Sequence, residues 1–272
     1  MALPDAVLHL DGGLAVPTAL ATGPWSRNAQ HGGAVAALLA HVLERLDPGD
    51  ATFPARLSVE LLHPAPLTPL RVHAATTRPG RRVQLLEASL LSEGHEVARA
   101  TLLRLREHPL EYEPNPANGA VVTLPPPTTA GPLQGSLAGR LGFVGFWDAV
   151  ETSAARGSFE VPGPAAMWLR LTVPVVAGEA TSPLQRVAAT ADFGNGLGAA
   201  LPARRYTFIN PDLSIALHRL PEGEWIGLDA ATYAEPNGIG LVETVLHDVR
   251  GRVGRAEQTL LIDERDEPLA ES

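Results

Sequence analysis

The chain of 272 residues is long enough for two domains of ordinary size, and its hydrophobic fraction of 45% is sufficient for a sizeable core. Its formal net charge of −9 argues against nucleic acid as the main partner, because neutralising phosphates requires a basic surface. The sequence has no cysteine and all 21 of its basic residues are arginine, which excludes disulfides, thiolate chemistry, Schiff-base catalysis and the lysine of a P-loop.

Targeting and cofactor signals are also missing from the sequence. No stretch reaches the roughly 20 apolar residues that cross a bilayer, and the first residues, MALPDAVLHLDGG, lack the pattern of a signal peptide. We therefore expect a cytoplasmic protein without membrane insertion. The nine histidines show no metal-binding spacing and cysteine is absent, so we expect neither a metal nor an organic cofactor. No G-x-S-x-G motif occurs, which argues against a serine α/β-hydrolase.

The first half of the chain predicts one helix followed by four strands. Asn28 can serve as the N-cap of a helix whose apolar side chains fall on one stripe, namely Val35, Leu38, Leu39, Val42 and Leu46. Strand patterns follow near residues 54–63, 70–77, 82–91 and 96–106.

A segment rich in proline, asparagine, threonine and glycine follows over residues 109–132 and includes Pro125, Pro126 and Pro127. Such a composition is typical of a linker. It divides the chain into an N-terminal domain over residues 1–108 and a C-terminal domain over residues 133–272.

The second half predicts the same order of elements. The sequence Ser182-Pro183-Leu184-Gln185 is a capping box with proline at the first helical position. We expect this helix to break near Gly194-Asn195-Gly196. Strand patterns follow near residues 206–218, 224–233, 238–248 and 253–263.

A direct comparison of the two halves indicates a tandem duplication. When residues 57–105 are aligned without a gap to residues 213–261, 13 of 49 positions are identical, which exceeds the three or four expected by chance. We therefore predict an α+β fold in which each half is an antiparallel sheet wrapped around a central helix. The edge strands of the two halves can join the sheets into one, which is the architecture of a tandem (double) hotdog, although the pattern alone does not distinguish it from other α+β folds.

Four segments resemble the acyl-CoA thioesterase II family: QHGGAVAALLAHVLE (30–44), ADFGN, INPDLSIALHR and AEQTLLI. The resemblance implies a double hotdog that hydrolyses acyl-CoA to a free acid and CoA, without a cofactor, by an Asp, a Thr and a Gln around a water. Carried over by position, the Asp is Asp192 and the Gln is Gln258. The Thr position holds Asn210, which departs from the family pattern but can also hold a water by hydrogen bonding.

The duplication provides an internal comparison for these three residues. At the same offset, Asp192, Asn210 and Gln258 align with Ala36, Pro54 and Leu102. The polar set occurs only in the second half, so the chemistry is predicted there, with Asp192 as the base that takes a proton from water. The structural alternative is that Asp192 satisfies a helix end, with Gln258 as its hydrogen-bonding partner.

Other residues are candidates for binding the substrate. His31, Gly32 and Gly33 lie at the start of the first predicted helix, where free N–H groups can stabilise the oxyanion of a thioester carbonyl, although close packing is an alternative explanation for the glycines. Two arginine clusters are candidates for the phosphates of CoA, and solvated turns are the simpler interpretation of both. They comprise Arg78, Arg81 and Arg82 in one and Arg204 and Arg205 in the other.

Two functional alternatives remain open at the level of sequence. One is a non-catalytic acyl-CoA-binding hotdog module, which the departure at Asn210 favours. The other is an enoyl-CoA hydratase, but no histidine is suitably placed beside Asp192 in sequence. In each case the expected partner is a small-molecule acyl-CoA, and a homo-oligomer is possible.

Overall fold

The computed structural model describes residues 3–47, 51–111, 123–133 and 141–265. The first half contains strands β1 (Leu8–Asp11) and β2 (Leu14–Pro17), helix α1 (Gly32–Arg45), and strands β3 (Thr52–Leu61), β4 (Leu70–Arg78), β5 (Val83–Ser92) and β6 (His95–Arg106). The second half contains β7 (Gly131–Pro132), β8 (Val150–Arg156), β9 (Ala165–Leu171), helices α2 (Pro183–Ala191) and α3 (Gly194–Leu197), and strands β10 (Tyr206–Ile209), β11 (Asp212–Leu217), β12 (Ile226–Ala234), β13 (Ile239–Asp248) and β14 (Gly251–Glu264).

All fourteen strands belong to one sheet, in the order β1-β2-β4-β5-β6-β3-β11-β14-β13-β12-β9-β8-β7, with β10 paired to β14. The two halves join where β3 pairs with β11 in antiparallel fashion, and Ser58 lies opposite Ser214. The Oγ atoms of these serines are 3.2 Å apart, and the residues are separated by the repeat offset of 156 positions. A pseudo-two-fold axis therefore passes between them, and the predicted tandem hotdog is confirmed.

The core of each half forms where a helix packs on the concave face of the sheet. In α1 all residues from Gly33 to His41 are buried, and in α2 the buried positions include Leu184, Val187 and Ala188. The two helices also pack against each other. A side chain at Gly33 would collide with the backbone carbonyl of Ala189, so a glycine is required at this close approach.

The start of the first helix differs from the prediction. Helix α1 has His31, not Asn28, as its N-cap. The segment between them is extended because its backbone is bound elsewhere: Gly23 N–H donates to the Ala29 carbonyl and Gln30 N–H donates to the Ala65 carbonyl. The strand pairs β1–β2 and β8–β9 were not predicted either. They lie outside the aligned residues 57–105 and 213–261.

The second half departs from the prediction in two places. Helix α2 ends before Asp192 and Phe193, so the break precedes the expected Gly194-Asn195-Gly196, all of which lies in α3. The single strand predicted over residues 206–218 is interrupted between β10 and β11. There Ile209 lies opposite Leu261 but Ser214 lies opposite Glu257, so one extra residue bulges from this strand.

The matching strand of the first half has an irregularity at the same place, between Pro54 and Arg56. The alignment of Asn210 with Pro54 therefore agrees with the structure. The alignment of Asp192 with Ala36 is wrong, because the helix starts do not share the offset of the strands. When the N-caps His31 and Ser182 are matched, Asp192 corresponds to His41.

Part of the predicted linker, residues 112–122, lies outside the described residues. Its end forms β7, which pairs with β8, and the Trp168 indole N–H donates to the Pro125 carbonyl at 2.6 Å. The division at residues 108 and 133 stays a prediction. Within the described ranges, no helix is both long and apolar enough to span a bilayer.

Candidate active site

Asp192 lies where the two helices meet at opposite ends. It is the C-cap residue of α2, and its carboxylate faces the N-terminus of α1. The approach is so close that a Cβ atom at Gly32 would lie 2.7 Å from Asp192 Oδ2. Only 8% of Asp192 is exposed. The sequence Gly32-Gly33 therefore leaves space for the carboxylate as well as for helix packing.

Three side chains contact this carboxylate. Asn210 Nδ2 and Gln258 Nε2 donate to Oδ1 at 2.8 and 3.1 Å, and His31 Nδ1 lies 3.0 Å from Oδ2. Burial alone would raise the pKa of Asp192, but hydrogen bonds and charge from His31, with donation from Asn210 and the Gly33 N–H, outweigh it and lower the pKa below its usual value. The buried carboxylate is therefore ionised at neutral pH.

The proton on His31 follows from this ionisation. His31 Nδ1 lies 3.0 Å from the Gly33 nitrogen as well as 3.0 Å from Asp192 Oδ2. One nitrogen cannot accept from the first and donate to the second at once, and the anionic oxygen favours a proton on Nδ1. The Gly33 N–H then donates to the carboxylate. Phe146 and Phe193 hold the imidazole, with ring centroids 4.9 and 4.8 Å away.

Asn195, which sequence reasoning did not single out, fixes the orientation of Asn210. Its Nδ2 donates to the Phe208 carbonyl at 3.2 Å and lies 3.5 Å from Asn210 Oδ1. That contact directs the NH₂ group of Asn210 towards Asp192. The Oδ1 atom of Asn195 is buried and has no hydrogen-bond partner among the described residues. The only sequence signal was its position three residues after Asp192.

Gln258 lies behind Asp192, on the concave side of β14. It is buried with 1% exposure, and its Oε1 atom has no partner within the described part of the chain. It does not line the cleft in front of Asp192. Its contact is therefore with the carboxylate, and it holds Asp192 from the rear.

A cleft of about 980 Å³ opens in front of this cluster. Five of the residues predicted from the sequence line this cleft. They are Asp192, His31, Gly32, Asn210 and Arg204. The rest is largely apolar and aromatic, as expected for a site that accepts an apolar ligand. Its aromatic members are Trp25, Trp147, Phe159, Phe193 and Phe208.

The structure does not bring the other predicted residues to the cleft wall. Gly33 is used in helix packing, and Arg78, Arg81 and Arg82 are exposed around the turn between β4 and β5. Arg205 donates to Glu264 at 2.8 Å on the surface. No group of three His, Asp or Glu side chains in the described ranges could hold a metal ion. The prediction that no metal is needed stays a prediction.

The chain matches one known family over most of its length. Residues 21–105 match the acyl-CoA thioesterase N-terminal domain and residues 121–262 match the acyl-CoA thioesterase C-terminal domain. No curated protein matches the chain in sequence.

Solved structures with the same architecture share little sequence with the chain. A candidate thioesterase II of Thermobifida fusca is 17% identical over 95% of this chain and 96% of its own, with a TM-score of 0.70. A hot dog fold protein of Alicyclobacillus acidocaldarius is 16% identical over 97% and 98%, with a TM-score of 0.69. An acyl-CoA thioesterase II, TesB2, of Mycobacterium marinum is 14% identical over 97% of each chain, with a TM-score of 0.63. These likenesses establish the fold.

Proposed function

Because the chain belongs to the acyl-CoA thioesterase family, we propose that it hydrolyses an acyl-CoA thioester to a free carboxylic acid and CoA. The observation that carries the proposal is the buried, ionised Asp192 at the wall of a mostly apolar cleft. A carboxylate held by three donors in such a place can act as a general base on a water molecule. If Asp192 served only to cap the end of α2, no cleft would be expected beside it.

In the proposed reaction, Asp192 takes a proton from a water while the water oxygen attacks the thioester carbonyl carbon. The C–S bond then breaks with its electron pair on sulfur, and the proton held by Asp192 passes to the CoA thiolate. Asn210 and His31 lie beside Asp192 on the cleft wall and would position this water. Gln258 acts through Asp192 and is a positioning residue.

Negative charge develops on the carbonyl oxygen during the attack, so the site needs a donor for it. Gly32 is the better candidate of the two glycines. It lies on the cleft wall at the first position of α1, and its N–H has no acceptor among the described residues. The Gly33 N–H already donates to Asp192.

The proposal is tested by incubating the protein with a panel of acyl-CoAs and a thiol reagent. Release of free CoA, dependent on Asp192, supports the thioesterase. A 3-hydroxyacyl product from an enoyl-CoA would show a hydratase instead. Binding of acyl-CoA with no product would show the non-catalytic module, for which Asn210 in place of the family's Thr is the supporting observation. Cytoplasmic location and assembly into a homo-oligomer remain predictions.

A further inference from the structure

Trp25 is an exposed tryptophan on the wall of the cleft. Trp25 as a whole residue is 47% exposed, whereas Trp147 and Trp168 are buried. Tryptophan is highly buried on average, and an exposed one at the mouth of a cleft offers a flat apolar face to a ligand. Packing in the core accounts for the positions of Trp147 and Trp168, and Arg170 lies over the ring of Trp225, but Trp25 is not part of the buried core.

The opposite half of the molecule supplies positive charge at the same place. The guanidinium carbon of Arg265 lies 5.6 Å from the centroid of the Trp25 ring. Arg265 is fixed there, because its Nε donates to the Ala203 carbonyl at 2.9 Å and its backbone N–H donates to the Arg205 carbonyl at 2.8 Å. Arg265 therefore faces the indole as a cation–π partner.

Arg204 lies between Ala203 and Arg205, the two residues whose carbonyls Arg265 contacts, and it lines the same cleft as Trp25. The cleft wall thus combines an exposed aromatic ring with the guanidinium group of Arg204, and the Arg265 guanidinium lies against the same ring, in a chain whose net charge is −9. Glu160 is the acidic residue on the cleft wall besides Asp192. An aromatic face beside arginines is the chemistry that binds a nucleobase and its phosphates.

We propose that Trp25, Arg204 and Arg265 form the subsite for the nucleotide end of the acyl-CoA substrate. The base stacks on the indole, Arg204 binds a phosphate group, and Arg265 supports the indole and adds positive charge. This assignment rests on the proposed function, because it places the nucleotide at the mouth and the thioester at Asp192. Of the five arginines predicted for the phosphates, it retains only Arg204.

The experiment compares two substrates that share a thioester, acyl-CoA and the corresponding acyl-pantetheine, which lacks the nucleotide. For Trp25→Ala and Arg204→Ala we expect KM for acyl-CoA to rise at least about fivefold with kcat unchanged. Kinetic constants for acyl-pantetheine should stay within about twofold of wild type. Trp25→Phe, which keeps a stacking face, should recover most of the affinity for acyl-CoA. Arg99→Ala removes an exposed arginine that is paired with Glu60 and does not line the cleft, and it is the matched control.

Equal losses with both substrates would overturn the proposal, because Trp25 would then serve the fold or the thioester. Unchanged KM for both substrates would place the nucleotide elsewhere and also overturn it. If the wild type cleaves neither substrate, the proposed hydrolysis is wrong but the subsite is still testable. Calorimetric titration with CoA should then give a dissociation constant at least about fivefold weaker for Trp25→Ala than for Arg99→Ala, and equal constants would refute the subsite.

Discussion

The pseudo-two-fold axis relates two ends of the helix pair α1–α2, and the cleft lies at the end with Asp192, which we call the site end. The other end, with Glu44, is called the closed end. At the site end, the N-terminus of α1 with His31 and Gly32 meets Asp192. At the closed end, the N-terminus of α2 with Ser182 meets Glu44 near the end of α1. Glu44 accepts hydrogen bonds from Ser182 Oγ at 2.6 Å and from Gln185 Nε2 at 3.1 Å. Both ends therefore place a carboxylate at a helix N-terminus, which the helix dipole favours.

The environments of the two carboxylates shift their pKa values in opposite directions. Burial raises the pKa of Glu44, and its bonds from Ser182 and Gln185 with the charges of Arg45 and Arg104 only partly offset this. The pKa of Asp192 is lowered. The strand residues explain part of this contrast, since the equivalents of Gln258 and Asn210 at the closed end are the apolar Leu102 and Pro54.

The helices also differ at the two ends. Helix α1 continues to Arg45, and buried Arg104 donates to the carbonyls of Leu43 and Glu44. Helix α2 ends before Asp192, and α3 follows it. A carboxylate at a helix start is thus common to both ends. The helix break, the polar strand residues and the cleft distinguish the site end.

The largest expected effect separates the two carboxylates. Asp192→Asn should lower kcat for acyl-CoA hydrolysis by about 10²–10⁴-fold, because the amide cannot take a proton from water. Glu44→Gln, the matched change at the closed end, should leave kcat within about threefold of wild type. Steady-state release of CoA measures both. A folded Asp192→Asn protein that retains full activity would show that Asp192 is structural.

A smaller effect is expected when the closed-end residue is placed at the site end. Gln258→Leu removes one donor to Asp192 Oδ1 and should reduce kcat by about tenfold or more, with KM little changed, since Gln258 is not on the cleft wall. Combined with Asp192→Asn, it should add little further loss, because both changes act on one group. Losses that multiply in the double variant would indicate a role for Gln258 independent of Asp192.

The next prediction concerns the asparagine pair. Asn195→Ala should reduce kcat by about three- to tenfold, because Asn210 is then free to turn its amide group away from Asp192. The loss should be smaller in an Asn210→Thr background, where a hydroxyl has no amide orientation to fix. Comparing kcat across wild type, both single variants and the double variant measures this coupling. Equal losses in the two backgrounds would show that Asn195 supports the fold and not Asn210.

The repeat predicted most of the fold because identical residues at a constant offset fix the strand positions and register together. Strands β4 and β5 match β12 and β13 residue for residue. The helix start was misplaced at Asn28 because backbone bonds to Ala65, a distant residue, hold the segment extended. The contact between Asn195 and Asn210 depends on the bulge between β10 and β11, which no local pattern predicts. Arg265 and Trp25 belong to opposite halves of the chain, so no spacing in the sequence predicts their contact.

The smallest expected effect is on thermal stability. As pH rises, the ionisation of Glu44 should destabilise the folded protein, whereas the ionisation of Asp192 should stabilise it. Because the pKa of Glu44 is raised in the folded protein, folding favours its protonated form. That contribution is fully present below the unfolded pKa, about 4.3, and is lost as pH rises through the folded value. Glu44→Gln should therefore match wild type in acid and exceed its Tm at pH 7 by about 1–4 °C.

Asp192 has a lowered pKa, so its carboxylate stabilises the folded protein above the unfolded pKa, about 3.9, and this stability is lost as pH falls through the folded value. Asp192→Asn should accordingly lower Tm at pH 7, and the difference should shrink in acid. Thermal unfolding of wild type and both variants between about pH 3.5 and 7 measures the two curves. If Glu44→Gln instead lowers Tm at pH 7, the hydrogen bonds from Ser182 and Gln185 stabilise the Glu44 carboxylate by more than burial destabilises it. The pKa of Glu44 would then be lowered, as that of Asp192 is. In that case the chemical difference between the ends would lie in the strands and the cleft alone.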